Sequence, residues 1–303
     1  MQKPAADAGT AAAADKIAAA VRGFSLEATF PGPSEIAALK LAVPAGTRVY
    51  LSSPPNHSPE RLVEFAAAIR AAGLEPVPHM TARGYADRAS LERVLSRLSK
   101  EAAVTSVLVI AGDRDAPAGP FASALELIES GALETHGIRE IGVSGYPDGH
   151  PKIDDAVLRR ALMQKIAAAA KRNLAVNVTT QFCFDPDHIL AWLRWLRGEG
   201  IVLPVRIGVA GPTSMRALMR FALRCGVRAS LKGMLNPKAM QLFSEAAPDN
   251  IVWALADAAD RVRLGPVSIH FFSFGGLNAT AHWAMAAASG RIQPEPQGFR
   301  VIG

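Results

Sequence analysis

The sequence contains no apolar run long enough to cross a bilayer. Its longest runs, such as Val104–Ala111, fall far short of the roughly 20 residues that a membrane helix needs. The alanine-rich segment from Met1 to Ala20 carries Asp7 and Asp15 and has no leucine-rich core, which is not typical of a secretory signal. We therefore expect a cytoplasmic protein with no membrane partner, and a loosely ordered N-terminal tail over residues 1–20.

Cysteine and aromatic residues are scarce. Cys183 and Cys225 are the two cysteines of the chain, one in a strand-like and one in a helix-like segment, so neither a disulfide framework nor a zinc site is indicated. Aromatic residues make up 6% of the chain and do not alternate with basic ones, which disfavours nucleic-acid binding. The net charge of +6 favours anionic partners, which include nucleic acids and equally nucleotide cofactors, and charge alone does not choose among them.

Short β-rich segments alternate with longer helical patterns through nearly the whole chain, as expected of βαβ units. Eight such segments predict an α/β fold, a (β/α)8 TIM barrel that forms a single catalytic domain over residues 21–303. A doubly wound sheet shows the same alternation, but no G-x-G-x-x-G follows the first strand. The predicted strands are Phe24–Phe30, Arg48–Ser53, Glu75–Thr81, Val104–Asp113, Glu140–Pro147, Ala175–Phe184, Pro204–Gly211 and Ser268–Phe274.

Helix start signals occur at Ser58, Asp87 and Asp185, where an acceptor side chain or a proline opens a helical pattern. Further helices are predicted over Asp154–Arg172, Met215–Val227, Pro237–Ala246 and Asn250–Arg261.

Polar residues fall at the ends of the first six predicted strands. In a barrel the carboxyl ends of the strands converge on one mouth, where active sites are built. We therefore expect these side chains to share one site. They are Glu27, Ser52, His79, Asp113, Tyr146, His150 and Gln181.

Two carboxylates among them are suited to acid and base chemistry. Strand alternation points Glu27 away from Leu26 and Ala28, into the barrel, where desolvation would raise its pKa and suit a proton donor. An inward ion pair is the alternative. Asp113 follows Gly112, which permits close backbone approach to a ligand, although the carboxylate could equally cap the following turn.

The other polar residues carry weaker signals. His79 and His150 have no third ligand at a recognisable spacing, so we predict no metal site. Gln181 can both donate and accept hydrogen bonds, which suits recognition of the edge of a heteroaromatic ring.

Taken together, the strand-end segments resemble the catalytic domain of the methylenetetrahydrofolate reductase family. The resemblance spans residues 24 to about 290; each segment is weakly informative alone, but all occur in the family's order and approximate spacing. The segments are Ser25-Leu26-Glu27-Ala28-Thr29-Phe30-Pro31, Pro78-His79-Met80-Thr81, Gly112-Asp113, Phe121-Ala122-Ser123, Tyr146-Pro147-Asp148-Gly149-His150-Pro151 and Thr180-Gln181-Phe182-Cys183-Phe184-Asp185.

The resemblance implies a barrel that binds FAD and interconverts 5,10-methylenetetrahydrofolate and 5-methyltetrahydrofolate with NADH or NADPH. It implies that Glu27 is the general acid, that Asp113 lies beside flavin and pterin, and that Gln181 contacts the pterin. Phe274 is a further expected substrate contact. The positions implied to bind cofactor are Ser52, His79, Gly112, Asp113, Phe121, Ala122, Ser123, Tyr146, His150 and Lys165.

The chain departs from the family pattern at several positions. Ala111 stands where the family has Arg, and the helix after the fifth strand offers Leu158 and Ala161 in place of polar flavin contacts. The last strand lacks the family's Tyr and Arg. We therefore expect weak FAD binding.

Two alternatives remain open beside the flavin-dependent reaction. One is a flavin-independent member that passes hydride directly from NADH to the folate. The other is a non-catalytic subunit that binds folate or flavin for a complex. The choice of nicotinamide, the direction of the reaction and the presence of a homo-oligomer also stay open.

Overall fold

The computed structural model describes residues 6–54, 57–225, 245–259, 264–295 and 298–302. Within them, eight parallel strands close into a barrel in the order β1-β10-β7-β6-β5-β4-β3-β2, which confirms the predicted (β/α)8 fold. The barrel strands are β1 Ser25–Ala28, β2 Arg48–Leu51, β3 Glu75–Thr81, β4 Ser106–Ile110, β5 Glu140–Gly145, β6 Ala175–Thr180, β7 Val205–Ala210 and β10 Val267–Phe272.

Two short antiparallel pairs lie outside the barrel. They are β8 Thr213–Ser214 with β9 Glu245–Ala246, and β11 Ile292–Glu295 with β12 Gly298–Val301.

The helices surround the barrel. Two of them, α4 and α8, begin directly after the predicted start signals Asp87 and Asp185. Asp87 accepts a hydrogen bond from the Ser90 N–H at 2.6 Å, and Asp185 precedes Pro186 at the first helical position. No helix of the described ranges is long and apolar enough to span a membrane. The helices are α1 Ala6–Val21, α2 Pro33–Ala42, α3 Arg61–Ala71, α4 Arg88–Ala102, α5 Ala124–Glu129, α6 Ala132–Thr135, α7 Asp155–Lys171, α8 Pro186–Gly198, α9 Met215–Cys225, α10 Asp249–Ala259 and α11 Leu277–Ala288.

Two sequence predictions need correction. The N-terminal segment is not a loose tail where it is described, because α1 packs against α10 and α11 and buries Ile17 and Val21. Of the helix predicted over Pro237–Ala246, residues 237–244 lie outside the described ranges, and the remaining two residues form strand β9 instead. The predicted ends at Val227 and Arg261 also lie outside the described ranges.

The amino-terminal end of the barrel is closed by a polar network. The Arg48 guanidinium donates two hydrogen bonds to the Glu140 carboxylate, at 2.9 and 2.8 Å, and the Asn177 amide donates a third at 2.8 Å. Burial is the largest single influence and opposes ionisation of Glu140, but the hydrogen bonds and charge of Arg48, the hydrogen bond from Asn177 and the charge of Arg206 together hold the pKa of that carboxyl below its usual value. Above this floor, the buried side chains of Tyr50 and Leu108 fill the barrel. The end left open is therefore the carboxyl end.

Candidate active site

Glu27 projects into the barrel between two histidines from nearby strands. Its Oε2 atom lies 3.6 Å from Nε2 of His79 and 3.5 Å from Nε2 of His270. Its neighbours Leu26 and Ala28 are buried on the opposite face of β1, as strand alternation predicts. The predicted inward orientation of Glu27 is therefore confirmed.

The strand order explains why these groups meet. Strands β10, β1, β2 and β3 are consecutive in the barrel, and Ser25 is directly opposite His270 in register. Their side chains share a hydrogen bond of 2.9 Å between Ser25 Oγ and His270 Nδ1. The buried Tyr50 ring lies edge-on to His270 and His79, with centroids 4.5 and 6.2 Å away. Both imidazoles are thus fixed by packing around the carboxyl group.

Burial dominates the electrostatics of this cluster. It raises the pKa of Glu27, and the nearby His79 offsets the rise only partly. Burial likewise lowers the pKa of His79, and it lowers the pKa of His270 to about 3. At neutral pH we therefore expect neutral imidazoles beside a carboxyl group that holds its proton more tightly than usual. The Nε2 atoms of both histidines are buried and make no hydrogen bond within the described part of the chain.

Because the histidines of this cluster are buried, we expect the protein to lose free energy of unfolding in mild acid. The pKa of His270 is about 3 in the fold against 6.5 without burial, so the stabilisation is complete above pH 6.5 and is lost as the pH falls toward 3. The slope is at most about 1.4 kcal/mol per pH unit for each proton taken up on unfolding. We expect His270→Asn to flatten the pH dependence by about one proton in urea unfolding between about pH 5 and 7, whereas His282→Asn, at an exposed position, should leave it unchanged. An unaltered slope in His270→Asn would contradict the buried neutral imidazole.

The segment after β4 places Asp113 in different surroundings from Glu27. Asp113 lies on an exposed loop three positions beyond the end of the strand. Gly112 before it has a φ of 89°, and a Cβ atom there would come within 3.0 Å of the Thr81 side chain, so this position requires glycine. The structure therefore provides one carboxyl group inside the barrel and one on an exposed loop.

Ala122 and Ser123 are engaged in capping α5. The Ser123 hydroxyl accepts a hydrogen bond from the Glu126 N–H at 3.3 Å, and the Glu126 carboxylate accepts from the N–H groups of Ser123 and Ala122 at 3.2 and 2.5 Å. The Ala122 carbonyl accepts from Arg83 at 2.8 Å. The hydrogen-bonding groups of these two predicted cofactor contacts are thus already paired, while Phe121 is a buried apolar neighbour.

Lys165 of α7 is buried at the mouth beside the end of β5. Its ammonium group donates a hydrogen bond of 3.3 Å to the Ser144 hydroxyl, and burial lowers its pKa to about 8. Burial also raises the pKa of Tyr146, with a smaller contribution in the same direction from the charge of Asp113. The Tyr146 ring lies edge-on to His150 with centroids 5.7 Å apart. These predicted cofactor contacts therefore converge on one part of the mouth.

The predicted substrate contacts lie just beyond β6 and β10. The Gln181 N–H donates to the Gly145 carbonyl at 2.8 Å, and its side-chain oxygen accepts from the Phe182 N–H at 3.1 Å. Phe274 stacks on Phe221 with centroids 4.2 Å apart, so the mouth carries an aromatic wall here.

Ser52 directly follows β2, where its hydroxyl is hydrogen-bonded to that of Thr29 and donates to the Ala28 carbonyl at 3.4 Å.

Sequence reasoning missed two groupings that the structure reveals. The first is the contact between His270 and Glu27. The two-residue period of the last strand places His270 on the same face as Ser268 and Phe272, and this pattern could have predicted that His270 points into the barrel. Asp148, Cys183 and His188 also stand together, although their spacing in the sequence matches no common ligand pattern.

A parallel eight-stranded barrel that holds a carboxyl group beside two histidines defines the chain as an α/β-barrel protein. Residues 53–237 match the family described as methylenetetrahydrofolate reductase. The match covers more than half of the chain, which therefore belongs to the methylenetetrahydrofolate reductase family, and the predicted resemblance is confirmed. As a family these proteins are folate-related oxidoreductases.

Comparison with single proteins gives shorter or weaker matches. Methylenetetrahydrofolate reductase 2 of Saccharomyces cerevisiae (strain ATCC 204508 / S288c) is 31% identical over 85 residues, which is 27% of this chain and only 13% of the yeast protein. A dihydropteroate synthase from Thermus thermophilus in complex with 6HMPPP has a TM-score of 0.48 and 16% identity, covering 88% of this chain and 91% of that chain. A putative deoxyribose-phosphate aldolase from Toxoplasma gondii ME49 has a TM-score of 0.45 and 10% identity, covering 92% and 98%. These two structural likenesses carry no argument about function.

Proposed function

We propose that this protein interconverts 5,10-methylenetetrahydrofolate and 5-methyltetrahydrofolate with NADH or NADPH, and that Glu27 is its proton donor. The observation that carries the proposal is the Glu27 carboxyl group, held inside the barrel between His79 and His270 with its pKa raised by burial. Membership of the reductase family supports the substrate class.

Reduction of the methylene group needs one proton and one hydride. Protonation of a nitrogen of the five-membered ring lets its bond to the methylene carbon break, which leaves an iminium group on the other nitrogen. Hydride addition to the carbon of that iminium then gives the methyl group. A carboxyl group that keeps its proton near neutral pH is suited to the first step, and Glu27 recovers its proton from solvent afterwards.

The histidines act on the reaction through Glu27. Burial lowers the pKa of both imidazoles and so limits the positive charge beside Glu27, and the charge of His79 lowers the pKa of Glu27 by less than burial raises it. Their fixed rings also hold the carboxyl group in one position, so that its proton is presented at a defined place. Both are therefore proposed as positioning residues.

Gln181 is proposed to recognise the pterin edge through its amide. We expect Gln181→Leu to weaken folate binding by about 1 to 3 kcal/mol, because a buried polar group of the ligand would lose its partner. Direct binding measurements with tetrahydrofolate test this, with Gln293→Leu on exposed β11 as the matched control. Equal folate affinity in wild type and Gln181→Leu would place the pterin elsewhere.

The mouth partly fits a flavin. Lys165 offers a buried cation, His79 a buried imidazole and Tyr146 a partly buried hydroxyl group. When bound, FAD supplies a hydride acceptor and donor between nicotinamide and folate. Lys165 would attract the anionic cofactor, while Tyr146 and His79 would fix its orientation.

A direct transfer of hydride from NADH to the folate is the second candidate. It is favoured by the capping of α5, which occupies the N–H groups of Ala122 and Ser123, and by the small apolar side chain of Ala111. Either route uses the same proton donor.

Cofactor analysis of the purified native protein, combined with an NADH-dependent assay on methylenetetrahydrofolate, tests the proposal. We expect formation of 5-methyltetrahydrofolate by one of the two routes. A protein that binds folate but forms no methyl product with NADH or NADPH, with or without FAD, would instead be a binding subunit.

A further inference from the structure

Asp148, Cys183 and His188 form a cluster where the loop after β5 meets the loop after β6. One potential ligand atom from each residue lies within 4.8 Å of the other two. Asp148 Oδ1 and His188 Nδ1 are 2.7 Å apart. Carboxylate, thiolate and imidazole are three of the ligand types that bind zinc in proteins.

The ends of β5 and β6 and the start of α8 bring these three side chains together. Asp148 lies in the turn that follows β5, Cys183 follows the end of β6 by three positions, and His188 is in the first turn of α8. Cys183 is fully buried and the Asp148 side chain is only 4% exposed, whereas the His188 side chain is 45% exposed. Two ligands are therefore held by the interior and the third faces solvent.

We propose that this cluster is a binding site for zinc(II) or a divalent cation of the same ligand preference. Zinc bonds of about 2.0–2.3 Å in a tetrahedral site separate the ligand atoms by roughly 3.3–3.7 Å, which small side-chain movements reach from the observed arrangement. A thiolate and a carboxylate beside a neutral imidazole also carry two negative charges, which match a divalent cation. The metal would take the place of the proton shared by Asp148 and His188 and of the thiol proton that Cys183 donates to the Asp185 carbonyl at 3.4 Å, and both protons would pass to solvent.

His188 connects the cluster with solvent. It also lines a cavity of about 140 Å³ between α7 and α8, of which Asp148 and Cys183 form no part, so a water molecule that completes the coordination would reach the metal on the His188 side. Gln181 and Tyr146 lie on the same two loops as the ligands. The bound metal would therefore join and stiffen the loops that carry proposed folate and cofactor contacts, whichever reaction the protein catalyses.

Cobalt(II) titration of the metal-free reduced protein is the direct test. We expect one cobalt ion per chain, visible d–d bands of tetrahedral cobalt, and a sulfur-to-cobalt charge-transfer band. Cys183→Ser should abolish the charge-transfer band, whereas Cys225→Ser, at the other cysteine of the chain, should keep it. Loss of a direct ligand should weaken binding by more than the about 10- to 100-fold typical of an outer-shell partner.

Two further variants and a stability measurement complete the test. His188→Gln and Asp148→Asn should each weaken cobalt binding, and Asp15→Asn, at an exposed position of α1, should not. Zinc alone should raise the midpoint of thermal unfolding in wild type and Cys225→Ser, because a ligand that binds only the folded state stabilises it. Absence of a charge-transfer band in wild type, or its survival in Cys183→Ser, would overturn the proposal.

Discussion

Substitution of Glu27 by Gln is expected to lower the rate of methylenetetrahydrofolate reduction by about a hundred- to ten-thousand-fold, the usual contribution of a general acid. The amide keeps the size of the side chain but carries no acidic proton. Any transfer of hydride from NADH to a flavin or to an artificial acceptor should continue, because that half of the reaction needs no proton from Glu27. The two rates are measured separately on the same preparation.

The control for this variant is Glu64→Gln, which removes a carboxyl group from the exposed face of α3. It should leave both rates unchanged. Because burial raises the pKa of Glu27, wild-type folate reduction should also decline as the pH rises past that raised pKa, since the proton donor is then ionised. Folate turnover near the wild-type rate in Glu27→Gln would show that the carboxyl group is structural.

Much of this site could be predicted because strand alternation is a local property. The inward direction of Glu27 follows from the two-residue period of β1, and its raised pKa follows from the closed interior of a barrel. His270 obeys the same period on β10, but its significance depends on closure of the barrel, which brings the last strand beside the first. That neighbour relation is set by the whole topology and by no short segment.

Two other features, helix α1 and the role of Ser123, could not be predicted correctly from the sequence, because the first depends on packing and the second on a local capping interaction. The N-terminal residues have a weak helical pattern rich in alanine, so the sequence indicated a tail, whereas contacts with α10 and α11 stabilise helix α1. Ser123 and Glu126 have the spacing of a capping box, and this local role accounts for their hydrogen bonds before any ligand is considered. Family resemblance alone assigned Ser123 to the cofactor.

We expect the affinity for FAD to be lower than is usual in this family. The reason we propose is that Ala111 replaces an arginine, and substitutions of Ala111 test this. An arginine there could make charge-assisted hydrogen bonds to the cofactor, each contributing roughly 1.5 to 3 kcal/mol. Arg83 lies close by, with its N–H bonded to the Ala111 carbonyl, but its guanidinium donates to the carbonyls of Ala122 and Arg114. It therefore holds the loop together and is a poor substitute for the missing side chain.

Ala111→Arg should accordingly bind FAD about tenfold to a hundredfold more tightly than wild type in equilibrium titrations of apo-protein. Ala111→Met adds a long side chain without charge and should leave the affinity near the wild-type value. Folate reduction with NADH is measured on both variants with and without added flavin. Stoichiometric FAD retained by the wild-type protein through purification would contradict weak binding, and full activity of flavin-free protein would establish the direct transfer of hydride, with Glu27 as proton donor in that route too.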